Sequence, residues 1–289
     1  MGIETAIEMK RCPHCGHAMV MHLYRCPSCG LWDFGSADGG FGGGGNGANG
    51  GRTDVGSDDG EGTLEMTPLS EVEGSNNKRS PTGPWDACFG GGLVSNSVTL
   101  LAGDPGAGKS TISLLILEAL LKGRKKEYQR ARYNYAEGAG SIVRDYGSRM
   151  GLTQMPRIDV LPAFLPLDEL LEYISKAKKR YPLVVDSISA MTENREAIKA
   201  ACMVFKEYAE RVDAPVFLLT HINKKGDVSG VKALEHLVDT VLMFRIVYSK
   251  REATSDRVLS VSKSRVGPNV TVKLRMVGKG LELIKDDPK

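Results

Sequence analysis

Gly103-Asp-Pro-Gly-Ala-Gly-Lys-Ser-Thr111 is the stretch that decides the fold of this 289-residue chain. It follows an apolar run over residues 98–102 and precedes another over residues 112–117, so the order is strand, glycine loop, helix. Its glycines let successive main-chain N–H groups converge on phosphate oxygens, and the new helix adds the positive end of its dipole. The spacing satisfies the whole G-x-x-x-x-G-K-[ST] pattern, and this context favours a phosphate-binding loop over a plain glycine turn.

The loop assigns roles to its own residues. Lys109 is expected to reach the β- and γ-phosphates of ATP, and the Ser110 hydroxyl to complete the coordination shell of Mg²⁺. ATP and Mg²⁺ are therefore the expected cofactors. The predicted nucleotide-binding residues are Gly103, Asp104, Pro105, Gly106, Ala107, Gly108, Lys109, Ser110 and Thr111.

Composition bounds the class of protein. The net charge of +3 is too small to prove a polyanionic partner, and the hydrophobic fraction of 41% is ordinary for a globular core. No apolar stretch approaches the ~18 residues that a membrane-spanning helix needs, and the amino terminus lacks a hydrophobic signal core. We expect a soluble, cytoplasmic protein with no membrane partner.

Two C-x-x-C-G knuckles lie close together near the amino terminus. They supply four cysteines, Cys12, Cys15, Cys26 and Cys29, and two such knuckles form a closed tetrahedral thiolate shell that suits structural Zn²⁺. So short a segment has almost no core, so the metal must supply its folding energy. A redox-active pair is the alternative, but it needs a βαβ setting and would not occur twice at close range. We predict a zinc module over residues 1–33 that docks to DNA or protein.

A glycine-rich segment follows the knuckles. Residues 34–64 have no hydrophobic periodicity and hardly any large apolar side chain, so they are predicted to form a disordered tether. The remaining residues, 65–289, alternate between buried-type strands and amphipathic helices. This alternation predicts an α/β domain with a central, mostly parallel sheet.

Two carboxylates follow predicted strands. Glu137 comes after the strand over residues 132–136, where ligands of an open parallel sheet bind, and could polarise the attacking water. Asp186 ends the apolar strand 183–186, as expected of a Walker B aspartate that holds Mg²⁺, although a helix N-cap is the alternative. Thr220 and His221 end another strand and either sense the γ-phosphate or cap that strand.

Cations occupy several exposed-type segments. The basic run over residues 123–132 indicates a solvated helix end, with DNA contact as the alternative. Lys224 and Lys225 lie in a segment bounded by glycines that is predicted to be a loop, and these two lysines are candidate DNA contacts. Lys263 and Arg265 lie in an edge loop, the natural source of an arginine finger aimed into a neighbouring subunit, although a solvated turn would look similar.

Taken together, these motifs resemble those of the RadA (Sms) family of bacterial recombination ATPases, within the RecA superfamily. The resemblance covers nearly everything except the glycine tether. The motifs that carry it are Cys12-x-x-Cys15-Gly with Cys26-Pro-x-Cys29-Gly-x-Trp32, Leu69-Ser-Glu-Val72, Thr82-Gly83 before Gly90-Gly-Gly-Leu-Val94, the phosphate loop, Leu234-Glu-His-Leu-Val-Asp-Thr-Val241 and Lys263-x-Arg265-x-Gly267.

This resemblance implies a RecA-like P-loop core that forms a hexameric, DNA-stimulated ATPase. Such an enzyme loads on single-stranded or branched DNA and moves along it in helicase-like branch migration during recombination and repair. A recombinase or replisome protein is the implied partner of the zinc module. Glu137 matches the family's water-activating position, Lys224 a DNA-contacting loop, and Lys263 with Arg265 the signature Lys-Asn-Arg-Phe-Gly.

The chain departs from the family at three points. Its signature is Lys-Ser-Arg-Val-Gly, the paired acids after the second strand are reduced to Glu137-Gly138, and we expect the carboxy-terminal Lon-like domain to be absent. Two other functions stay open. A replicative DnaB-like helicase motor shares the core but not the zinc knuckle, and a non-motor ATP switch would recruit a recombinase or helicase with little turnover.

Overall fold

The computed structural model divides the chain into two units, Met1–Asn76 and Asn77–Lys289. The first contains an antiparallel pair of short strands, β1 (Met9–Arg11) and β2 (Ala18–Val20). The zinc-ligand cysteines, most of the glycine-rich segment and the loop with Lys224 lie outside the described residues. The residues that the structure describes are 9–11, 18–20, 68–71, 78–123, 127–222, 234–250 and 252–284.

The second unit alternates strands and helices around one large sheet. Its two shortest strands, β3 and β4, pair only with each other, and the other nine form the large sheet. In chain order the strands are β3 (Arg79–Ser80), β4 (Leu93–Val94), β5 (Val98–Gly103), β6 (Ala131–Tyr135), β7 (Ile158–Val160), β8 (Leu183–Asp186), β9 (Val216–His221), β10 (Thr240–Ser249), β11 (Glu252–Ser264), β12 (Thr271–Val277) and β13 (Gly280–Leu283).

The order of strands across the sheet is β13-β12-β11-β10-β5-β9-β8-β6-β7. The six strands from β10 to β7 run parallel, whereas β11, β12 and β13 form antiparallel pairs at one side. The central strands are apolar along most of their length because both of their faces are buried, as expected of parallel strands. The predicted α/β fold with a mostly parallel central sheet is confirmed.

Helices connect the parallel strands. They are the α-helices α1 (Lys109–Lys122), α2 (Gly140–Met150), α3 (Leu167–Lys176), α4 (Ile188–Met191) and α5 (Arg195–Val212). One 3-10 helix, Gly83–Phe89, lies between β3 and β4, and another, Met155–Arg157, directly precedes β7. Asn194 caps α5 because its side-chain oxygen accepts from the N–H groups of Glu196 and Ala197 at 3.0 and 3.2 Å. None of the described helices is both long enough and apolar enough to cross a membrane.

The antiparallel side of the sheet is larger than the sequence predicts. The expected strands were residues 241–245 and 257–262, but β10 continues past Phe244 to Ser249, and β11 starts at Glu252. This hairpin extends beyond Gly103, which pairs with Phe244, and the Asp104 carboxylate accepts the Ile246 N–H at 2.9 Å in place of a further strand. β13 was also not predicted, because four residues between short turns carry little periodicity.

Candidate nucleotide-binding site

The phosphate loop needs glycine at three of its positions. A Cβ on Gly103 would lie only 2.0 Å from the Phe244 main-chain oxygen, so β10 can approach only a glycine. Gly106 and Gly108 adopt φ values of +75° and +104°, which L side chains rarely accept. Gly108 is also the N-cap of α1. These glycines therefore allow a tight turn between the end of β5 at Gly103 and the start of α1 at Lys109.

Gly103 gives a direct test of this packing. We expect Gly103→Ala to lower the free energy of unfolding by at least ~2 kcal/mol, because the new methyl group forces β5 and β10 apart. Gly278→Ala is the matched control, since a Cβ there meets nothing within 4 Å. Urea unfolding of both variants measures the difference, and equal stability of the two would contradict the close approach.

Lys109 lies inside the loop and is 5% exposed. Its Nζ donates to the carbonyls of Gly103 and Asp104, both at 3.0 Å, and lies 3.1 Å from His221 Nδ1. Burial lowers the pKa of Lys109 to about 8, while the nearby Asp186 and Glu137 carboxylates oppose that shift. At neutral pH the loop therefore holds a positive charge where phosphates are expected to bind.

Asp186 lies at the carboxyl end of β8 and is 2% exposed. It accepts from the Tyr133 hydroxyl at 2.7 Å and also from the Ser110 hydroxyl. Burial raises the pKa of Asp186, although the hydrogen bonds from Ser110 and Tyr133 oppose the shift. Ser187, not Asp186, is the N-cap residue of α4, so the N-cap alternative for Asp186 does not hold. A carboxylate beside a loop hydroxyl is a donor set that fits Mg²⁺.

Glu137 faces the same space from the carboxyl end of β6. Its Oε1 accepts from Ser187 Oγ at 2.7 Å and lies 2.8 Å from His221 Nε2. Burial favours a higher pKa, but the hydrogen bonds from His221 and Ser187 outweigh it and hold the pKa of Glu137 below its ordinary value. The carboxylate is therefore ionised at neutral pH.

His221 joins Glu137 to Lys109. With its proton on Nε2, the imidazole donates to Glu137 Oε1 and accepts from Lys109 Nζ through Nδ1. The structure thus places Lys109, Ser110, Glu137 and Asp186 together at the carboxyl edge of the sheet. His221 belongs to this network rather than serving only to end its strand.

Tyr133 and Ser187 also belong to the site, although the sequence analysis did not select them. Tyr133 is fully buried and also lies 3.2 Å from the Ser113 hydroxyl of α1. Residue alternation in β6 puts Tyr133 and Tyr135 on one face of the sheet, and this pattern could have indicated Tyr133 as a residue near the site. Ser187 could not be distinguished from other serines, because its partner Glu137 lies 50 residues away in sequence, in the turn after β6.

Lys263 and Arg265 lie near the amino ends of the parallel strands, away from the phosphate loop at the carboxyl ends. Lys263 pairs with Val241 near the start of β10, and Val241 pairs with Leu100 of β5, three residues before Gly103. At the ordinary rise of a strand this is about 10 Å along the strands from the start of the phosphate loop. Lys263 Nζ donates to the carbonyls of Glu235 and Val238, and Arg265 Nη2 donates to the His236 carbonyl at 2.7 Å. These two cations therefore do not reach the phosphate loop of their own subunit.

The fold and the loop geometry are those of an α/β domain with a RecA-like core and a phosphate-binding loop. A KaiC-like protein from Pyrococcus horikoshii has the same fold, with a TM-score of 0.57 over 72% of this chain and 99% of that chain, at 18% identity. No family model matches the chain.

In sequence the chain is similar to the DNA repair protein RadA, which confirms the resemblance inferred from the motifs. RadA of Mycolicibacterium smegmatis is 31% identical over 96% of this chain and 59% of its own length. RadA of Aquifex aeolicus is 28% identical over 95% of this chain and 59% of its own length. RadA of Bacillus subtilis is 29% identical over 89% of this chain and 55% of its own length. The chain therefore spans less than two thirds of the length of these relatives.

Proposed function

We propose that this chain is a DNA-stimulated ATP hydrolase that moves along single-stranded or branched DNA during recombination and repair. The observation that carries the proposal is the hydrogen-bonded path from Glu137 through His221 to Lys109. It joins a group that can activate water to a group that can bind the γ-phosphate. The curated relatives, which are DNA repair proteins by name, supply the DNA context.

The proposed chemistry is in-line attack of water on the γ-phosphorus. Bound Mg²⁺, held by Ser110 and Asp186, would neutralise charge on the β- and γ-phosphate oxygens. Lys109 moves its ammonium group from the loop carbonyls to the same oxygens. Glu137 orients the water and accepts its proton, for which an ionised carboxylate is required.

Supporting residues keep these groups in position. His221 holds the Glu137 carboxylate from one side and Ser187 from the other. Tyr133 holds Asp186 by the 2.7 Å hydrogen bond from its hydroxyl. Such fixed orientation lowers the reorganisation needed in the transition state.

The remaining charge is proposed to come from a second copy of the chain. Arg265 or Lys263 of one subunit would reach the γ-phosphate of its neighbour, since neither reaches its own loop. A finger supplied in trans is worth about 10³ to 10⁵ in rate, and repetition of one head-to-tail contact closes a ring, here proposed as a hexamer. Native mass measurement tests the assembly, and a strictly monomeric active enzyme would contradict it.

Two further parts of the proposal concern segments outside the described residues. Lys224 and Lys225 are proposed to contact DNA. In the sequence they lie between His221, in the site, and residues 234–239, which bind Lys263 and Arg265. Cys12, Cys15, Cys26 and Cys29 are proposed to bind Zn²⁺ and to dock a recombinase or replisome protein. Elemental analysis of the purified full chain should give one zinc per chain, and a zinc-free folded protein would contradict the module.

The central test is ATP turnover with and without DNA. We expect phosphate release by the full chain with Mg²⁺ to rise at least tenfold on addition of single-stranded DNA, because DNA assembles subunits into the geometry that completes the site. The matched control is Lys224→Ala with Lys225→Ala, which should keep the DNA-free rate and lose the stimulation. Equal turnover with and without DNA in the unsubstituted chain would contradict the proposed role.

A further inference from the structure

Arg257 is a buried arginine of β11 that contacts the phosphate loop. It is 8% exposed, and its Nε donates to the Ala107 carbonyl at 3.1 Å. Its Nη1 donates to the carbonyls of Thr254 and Asp256 at 2.6 and 3.0 Å. A guanidinium group therefore ties the main chain of the loop to a strand that is distant in sequence.

The contact fixes one peptide plane of the loop. The peptide between Ala107 and Gly108 is trans, so its carbonyl and its N–H point in opposite directions. Because Arg257 holds the carbonyl, the Gly108 N–H points away from β11. Gly108, which bounds this plane on one side, would otherwise let it rotate at little cost.

The Gly108 N–H is available to a ligand. Among the described residues no acceptor takes it, whereas the neighbouring Ala107 N–H is bound to the Asp104 carbonyl at 3.1 Å. A main-chain N–H that is held in a fixed direction and left unpaired at a helix start is a donor for an anion.

Arg257 also brings charge to the loop. Its three hydrogen bonds within the described part of the chain all go to main-chain carbonyls, so no carboxylate receives one. The adjacent Asp256 carboxylate is instead bound by Arg275 Nε at 2.7 Å. A guanidinium keeps its charge at every accessible pH, and burial strengthens its field on a nearby anion. The loop thus has two buried cations, Lys109 and Arg257.

We propose that Arg257 is a positioning residue for polyphosphate. It aims the Gly108 N–H at a phosphate oxygen and adds a second fixed positive charge behind the loop. The inference rests on the proposed ATP site. It means that the affinity of that site for phosphate groups depends on a residue of β11 that lies outside the loop motif.

Calorimetric titration of the full chain with Mg²⁺ tests this with two ligands, ATP and inorganic triphosphate. We expect Arg257→Gln to weaken both by about 10- to 100-fold, the loss that one charge-assisted hydrogen bond explains. The two losses should be equal within a factor of two, because the effect acts on phosphate alone. In steady-state turnover KM should rise in parallel, while kcat changes less than threefold.

Arg257→Lys should bind ATP with an affinity between those of the unsubstituted chain and Arg257→Gln, since the ammonium keeps the charge but loses the fixed Nε–H. Equal affinities of the two variants would overturn the charge contribution. If Arg257→Gln does not unfold cooperatively, Arg257→Lys alone decides, with a loss of at least threefold expected for both ligands. ATP affinity within twofold of the unsubstituted chain would overturn the inference.

Arg275→Gln is the matched control, because Arg275 lies on the adjacent strand β12, is half-exposed and pairs with Asp256. Its ATP affinity should stay within twofold, and a loss as large as that of Arg257→Gln would overturn the inference. A larger loss for ATP than for triphosphate would do the same, since it would mean a general distortion of the site. If the unsubstituted chain binds neither ligand, the proposed function itself fails.

Discussion

Replacing Lys109 with alanine should lower ATP turnover by about 10²- to 10³-fold, the usual cost of removing one preorganised charge donor from a reacting group. Lys109 is the cation of the loop motif and lies at the centre of the hydrogen-bonded site, between the loop carbonyls and His221. Its removal takes away charge from the transferring phosphoryl group and also leaves His221 without a partner at Nδ1. Phosphate release at saturating Mg²⁺–ATP measures the effect.

Lys122→Ala is the matched control for this change. Lys122 ends the same helix, α1, and is half-exposed, where it pairs with Glu118 at 2.8 Å. Glu118 is buried but keeps its hydrogen bonds from Thr153 and Gln154 when Lys122 is replaced, so turnover should stay near that of the unsubstituted chain. A Lys109→Ala variant that is folded and retains more than a tenth of the normal rate would refute the assignment of Lys109.

The second large effect is expected for Glu137→Gln. We expect kcat to fall by about 10²- to 10⁴-fold, because an amide cannot accept the proton of the attacking water. The affinity for ATP should change less than threefold, since glutamine is close in shape and its oxygen can still accept from Ser187 or His221. Single-turnover phosphate release together with calorimetric titration separates these two quantities.

Glu169→Gln provides the same chemical change on the exposed surface of α3 and should leave both quantities unaltered. The Glu137 variant also separates a motor from a nucleotide switch. A motor loses DNA-dependent work with either Lys109→Ala or Glu137→Gln, whereas a switch is held in its ATP-bound, active form by the second change alone. Undiminished kcat in Glu137→Gln would show that the water is activated elsewhere.

The strands and carboxylates of this site were accessible from the sequence because each depends on a local pattern. An apolar run followed by Gly103 to Thr111 predicts the loop, and a run that ends in a carboxylate predicts Asp186. Since parallel strands end at one edge of a sheet, Glu137 could be assigned to the same site. The structure adds the distances and the role of His221 as the bridge between Glu137 and Lys109.

The parts that the sequence did not predict depend on contacts between distant segments. Nothing near Arg257 distinguishes it from the chain's other arginines, because its partner Ala107 is 150 residues away. The long β10–β11 hairpin was missed for a similar reason. Its residues beyond Phe244 in β10 are half-buried or exposed, and their pairing is supported by each other and by the Asp104 carboxylate rather than by burial.

In the sequence, residues 223–233 join His221, in the candidate site, to residues 234–239, whose main-chain carbonyls bind Lys263 and Arg265. In the proposed head-to-tail ring, the start of this segment would adjoin the ATP site of its own subunit. Its end would adjoin Lys263 and Arg265, the cations proposed to reach the ATP site of the neighbouring subunit. A displacement by DNA would then act on two consecutive ATP molecules at once. Because one polypeptide segment would connect two neighbouring sites, the subunits of such a ring would hydrolyse ATP in sequence rather than at random.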